Sequence, residues 1–288
     1  LSQCTTLDAS QKALVNDGER MVNFLRGQQQ MEVTDPPLYR HRDHILGDIA
    51  SAKPAYVRNP RRSYGDVGYS TFKSTYANRQ AMVYVAANDG FLHALNATTG
   101  EETWAYVPHA TYPEFYKLAD SNYGNNHRYY VDGSPESADV YIGGQWRTIL
   151  VGGLNKGGRG YYALDIHEPN NPQVLWEFCS NAAFCSVADS DLGYTFGNPV
   201  ITKRPSDGKW VVLVASGYNN VSPGTGHGYL FVIDAATGDV LNKIDTGVGN
   251  ISTPSGLARI TARAENASAD NTATVVFGGE LLGNLWRF

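Results

Sequence analysis

The sequence predicts an all-β chain of β-propeller blades led by a short N-terminal helix, and three observations predict it. A strand–glycine turn–strand unit recurs four times, and a proline-bearing element precedes each unit. The composition, with 30 Gly and 18 Tyr among 288 residues and 18% charged, suits many short strands rather than long helices. A formal net charge of −5 excludes a general nucleic-acid binder, which needs a basic face against phosphates. No apolar run reaches the ~20 residues needed to span a bilayer, so no membrane span is expected.

Residues 1–45 read as a helical lead-in. Apolar Leu14, Val15, Val22 and Leu25 fall at helical spacing between Ser10 and Arg26, with Ser10 as N-cap, which predicts one amphipathic helix. Residues 46–288 read as the propeller domain, with about four blade repeats. Leu1 and Phe288 read as cuts in a longer chain, which leaves the fourth repeat truncated and the propeller incomplete.

The first unit runs from Met82 to Gly90 and on from Phe91 to Gly100, followed by Trp104. The second pairs residues 148–153 with 160–165 and Trp176, the third 211–217 with 228–238, and the fourth 274–279 with 283–288. Ala94, Ala163 and Val232 hold one repeat position, 69 residues apart each time. Runs such as Val83-Tyr84-Val85-Ala86 are apolar on both faces, as a strand packed between two sheets requires. Asp89-Gly90 supplies a tight turn, and the Asp/Asn-Ala-x-Thr-Gly phrase supplies a second, its short polar side chain holding the backbone. The tryptophan that follows is expected to fill the space between blades. Pro54, Pro135, Pro199 and Pro254 each belong at the start of a strand, where a missing N–H costs no ladder bond. Polar, tyrosine-rich insertions at 58–79 and 109–128 are candidate recognition loops.

Cys179 and Cys185 bracket five residues. With no second thiol pair or histidine pair nearby they do not read as a zinc site. They read as a small-loop disulfide, which implies an oxidising compartment. Two free thiols are the alternative.

Several phrases then carry a family resemblance: Leu46-Gly47-Asp48-Ile49, Val85-Ala86-Ala87-Asn88-Asp89-Gly90-Phe91, Arg128-Tyr129-Tyr130-Val131-Asp132-Gly133, Asp191-Leu192-Gly193-Tyr194-Thr195-Phe196-Gly197 and Gly283-Asn284-Leu285-Trp286. In order and over nearly the whole chain, the sequence resembles the C-terminal propeller of the PilY/PilC type IV pilus biogenesis factors. The resemblance implies a non-enzymatic protein that supports pilus assembly, antagonises retraction and contributes to adhesion and twitching motility. It further implies an exported, Gram-negative protein that passes the periplasm and outer membrane to the pilus surface. Its partners would be the pilus tip and minor pilins, with host or abiotic surfaces beyond them, and an adhesive module would lie outside this chain.

The resemblance also implies calcium. Members of the family carry an acidic loop whose positions fall here on Asn266, Ser268, Asp270, Asn271 and Thr274. Only Asp270 is a carboxylate, and Asn271 stands at the turn glycine. Affinity in such loops follows the number of negative ligands, so weak or absent calcium binding at a vestigial hairpin is expected. Asp189 and Asp191 read as a turn cap, and His127, His227 and Asp132 as surface or turn residues. Two other readings compete. Quinoprotein dehydrogenases, which use pyrroloquinoline quinone, have similar blades, but the sequence lacks their adjacent cysteines. It also lacks a nucleophile elbow and a His-Glu-x-x-His motif. An outer-membrane assembly scaffold is the second.

Overall fold

The computed structural model describes residues 1–288, and its antiparallel sheets follow the repeats. The first blade is β1 (Ala55–Val57), β2 (Met82–Ala86), β3 (Leu92–Asn96) and β4 (Glu102–Tyr106), hydrogen-bonded in chain order. The second is β5 (Glu136–Ile142), β6 (Gln145–Gly153), β7 (Gly160–Asp165) and β8 (Gln173–Cys179), with β9 (Val187–Ala188) parallel to β8. The third is β10 (Val200–Lys203), β11 (Trp210–Ala215), β12 (His227–Asp234) and β13 (Val240–Gly249). The fourth has β14 (Arg259–Asn266), β15 (Asp270–Gly279) and β16 (Leu285–Arg287). One parallel pairing, Lys203 with Thr272, joins the third and fourth sheets, and the sheets do not close into a ring.

The repeat maps simply onto this architecture. Pro54, Pro135 and Pro199 stand immediately before the first strand of their blades, whereas Pro254 lies five residues before β14 begins at Arg259. Ala94, Ala163 and Val232 all lie on the third strand, and the first two face Trp104 and Trp176 across the ladder. A small residue opposite each tryptophan leaves the indole free to lean into the next blade. The turns behave as their residues dictate: Gly90 takes φ +98°, and the Asp234 carboxylate accepts from the Ala236 N–H at 2.8 Å before Gly238 turns at φ +80°.

Seams between blades hold most of the core. Residues of blades one and two form a cluster of 16 buried side chains, and those of blades two and three one of 21. Trp176 pegs the second seam: it is 2% exposed, and its indole N–H donates to the Ala235 carbonyl at 3.1 Å. Trp104 reaches from blade one in the same way, donating to the Pro169 carbonyl at 2.8 Å. The insertion at 58–79 anchors on this core through a few aromatic residues, while most of its other residues stay exposed. It carries α3 (Tyr69–Thr75), and Tyr64, Tyr69 and Phe72 are buried around Trp146. In the 109–128 insertion Tyr123 is buried, whereas Tyr112 and Tyr116 are exposed.

The lead-in departs from the single helix expected. It contains α1 (Ala9–Val15) and α2 (Gly18–Leu25), broken at Asn16-Asp17. Asp8, not Ser10, caps α1 in a reciprocal capping box with Gln11. Asp17 then caps α2 through the Arg20 N–H at 2.9 Å, so its side chain favours a new helix start over continuation. Val15 and Phe24 are buried, and Leu14 and Val22 are exposed. No helix is long and apolar enough to cross a membrane.

Candidate functional site

The strand–turn–strand of β14 and β15 places the proposed ligand residues at a hairpin tip where three parts of the chain meet. Asn266 pairs with Asp270, so the tip is Ala267-Ser268-Ala269. Segment 63–65 docks on it through the Ser63 N–H to the Ser268 carbonyl at 2.8 Å and the Gly65 N–H to the Ala269 carbonyl at 3.2 Å. Blade three docks on the other side: the Thr202 hydroxyl donates to the Asn271 carbonyl at 2.7 Å, and the Asn271 amide donates to the Ile201 carbonyl at 2.9 Å.

The decisive group is Lys203. Its ammonium lies 2.8 Å from Asp270 Oδ1 and 3.0 Å from Asp66 Oδ1, bridging hairpin, insertion and blade three. The hydrogen bond from Lys203, helped by Thr272, holds the Asp270 carboxyl below its ordinary value. Burial pushes Lys203 down, but its bonds to Asp270 and Asp66 outweigh burial and the net shift is upward.

These donors do not fit a calcium ion, which takes about 6–8 oxygens converging on one point. The one carboxylate is engaged by an ammonium, and the Asn266 side-chain oxygen accepts from the Ser268 hydroxyl at 2.8 Å. The Thr274 hydroxyl is exposed and donates away, to the Arg263 carbonyl at 3.1 Å. Asn271 lies within β15 and not in a turn. The structure brings Asn266, Ser268 and Asp270 together and leaves Thr274 outside.

Elsewhere, Cys179 at the end of β8 and Cys185 are joined, with Sγ–Sγ 2.09 Å, and Cys4 is a free thiol. Asp189 and Asp191 are bridged by Lys243 at 2.8 and 2.6 Å, a second lysine between two aspartates. His127 pairs with Asp48 at 2.9 Å and His227 with Asp245 at 3.1 Å. Asp132 is a buried turn residue rather than a surface one: it accepts from the Ser51 N–H at 2.9 Å, and its other oxygen has no partner. Sequence reasoning missed Lys203 and Lys243, because each meets its aspartates only once distant strands are assembled.

The PilY1 β-propeller domain model matches residues 46–288. The type IV pilus biogenesis factor PilY1 of Pseudomonas aeruginosa is 38% identical over 281 residues, which is 94% of this chain and 23% of that protein. A PilY1 homolog of Xylella fastidiosa is 37% identical across the whole chain and again 23% of its own length. The crystal structure of the P. aeruginosa PilY1 C-terminal domain superposes with a TM-score of 0.66 at 34% identity, over 81% of this chain and 45% of that one. The chain thus spans about a quarter of the length of these curated relatives.

Proposed function

The chain belongs to the PilY1 β-propeller family, and from that premise we propose that it is the propeller portion of a type IV pilus biogenesis factor, acting without catalysis. The family match across residues 46–288 carries this reading. In it the protein is exported to the pilus surface, works with the pilus tip and minor pilins, opposes retraction and contributes to adhesion and twitching. Residues 1–45 would serve as the lead-in that docks the propeller to the rest of the protein. In-frame deletion of the coding region tests this: surface pili and twitching are expected to be lost. Intact pili with a general outer-membrane defect would point to an assembly scaffold instead. A dye-reducing holoenzyme on reconstitution with pyrroloquinoline quinone and calcium would restore the dehydrogenase reading.

Calcium is not part of this proposal. With Lys203 on Asp270, calorimetric titration is expected to show no calcium site tighter than about millimolar, the weak end of known oxygen-ligand loops. A micromolar one-site isotherm abolished by Asp270→Ala is the result that refutes it.

A further inference from the structure

The chain carries an excess of acidic residues, yet one cleft has no acid at all. It lies between the 127–129 segment, the turn linking β6 to β7, and the disulfide loop that begins at Cys179. His127, Arg128, Lys156 and Arg159 line it, and no aspartate or glutamate does. Three other clefts each carry at least one aspartate.

Two of these four basic side chains have no carboxylate partner. Arg128 pairs with Glu114 at 2.8 Å and His127 with Asp48, but neither Lys156 nor Arg159 has an acidic group within 4.0 Å. Lys156 instead sits with its ammonium 4.6 Å from the centre of the Tyr129 ring. The Arg159 guanidinium is fixed by the carbonyls of Asn219 at 2.7 Å and Val221 at 3.1 Å, beside the Tyr194 ring. Carbonyl dipoles orient that charge without cancelling it, which is the preorganisation an anion site needs.

Gly157 and Gly158 line the cleft with bare backbone, and at Gly157 no side chain fits. A Cβ at Gly157 would lie 1.8 Å from the Tyr130 carbonyl oxygen, and one at Gly158 2.8 Å from Leu154 Cδ1. Ser180 and Asn181 add hydrogen-bonding side chains, and Tyr129, Phe184 and Tyr194 add flat apolar walls. The volume is about 400 Å³, small within the range of about 300–1,000 Å³ for ligand sites. That favours a compact ligand over a folded partner. Two unpaired cations suit a carboxylate, Ser180 and Asn181 suit hydroxyls, and Phe184 offers a ring that neither cation covers, a combination that matches an acidic sugar.

We propose that this cleft binds an acidic sugar, a pyranose carrying a carboxylate, with Lys156 and Arg159 on the carboxylate. The proposal goes beyond pilus assembly and does not depend on it. The test titrates the protein with trigalacturonic acid and with its fully methyl-esterified form, followed by amide chemical shifts. Lys156 is exposed, so Lys156→Glu is expected to fold normally, which circular dichroism checks. The acid is expected to bind and to shift amides of 156–159, the ester not to bind, and Lys156→Glu to weaken the acid about tenfold or more. Rising salt is expected to weaken it too. Equal binding of acid and ester, no binding of the acid, or an unchanged Lys156→Glu affinity overturns the proposal. So does tighter binding of a tetraglutamate peptide, which would reassign the cleft to acidic protein segments.

Discussion

Trp176→Ala is expected to cost ~3–5 kcal/mol in urea denaturation, the range for emptying a buried aromatic site. Trp176 rises from β8 opposite Ala163, crosses the seam and ends on the Ala235 carbonyl. Its ring lies against the turn at Gly238, where an added Cβ would come within 2.7 Å of its Cβ and Cγ. Deletion therefore leaves a cavity at the contact between two blades, not inside one. Trp176→Phe keeps most of the apolar contact and loses the indole hydrogen bond, so a loss of ~1 kcal/mol is expected. Trp104 is only partly buried, and Trp104→Ala should cost clearly less. Equal losses at the two tryptophans would refute the peg.

Arg42→Ala is expected to destabilise the lead-in by a similar ~3–5 kcal/mol, the cost of stranding one partner of a buried ion pair. The Glu32 side chain is fully buried, and Arg42 reaches it at 2.6 Å through Nη2 and 2.8 Å through Nε, while the Arg42 N–H binds its other oxygen at 2.7 Å. The guanidinium also covers the Phe24 ring at 3.8 Å. Hydrogen exchange reads the effect locally: amides of residues 1–45 should lose protection while those of β6 and β11 keep theirs. The paired change Glu32→Gln with Arg42→Met should recover much of the loss, because it removes both charges. Unchanged protection in Arg42→Ala would refute the claim.

The blades were legible in the sequence because their causes are local. A proline before the first strand, glycine in the tight turn and an Asx-type turn before Gly238 act within a few residues of themselves. The break at Asn16-Asp17 was local too, but the apolar spacing of Leu14, Val15, Val22 and Leu25 masked the stronger cap at Asp17. Burial of Tyr64 and Tyr69 could not be read from a polar, tyrosine-rich segment, since it depends on Trp146 and Trp210 from two later blades. At the candidate site, it was visible in the residues themselves that Asp270 is the one carboxylate among Asn266, Ser268, Asp270, Asn271 and Thr274. The ammonium that occupies Asp270 was not, because Lys203 stands 67 positions before Asp270 and its second partner, Asp66, 137 positions before Lys203.

The Lys203 joint has a mechanical consequence. The earlier seams are filled by clusters of 16 and 21 buried side chains, whereas the one between blades three and four has five, supplemented by charge. Apolar contact is nearly indifferent to dissolved ions, but a half-open ion pair weakens as the Debye length shrinks from about 10 Å at 0.1 M to about 3 Å at 1 M. The stiffness of this array is therefore uneven. Salt also weakens the Lys243 bridge between blades two and three, but 21 buried side chains back that seam, so the joint between blades three and four is expected to respond most to ionic strength.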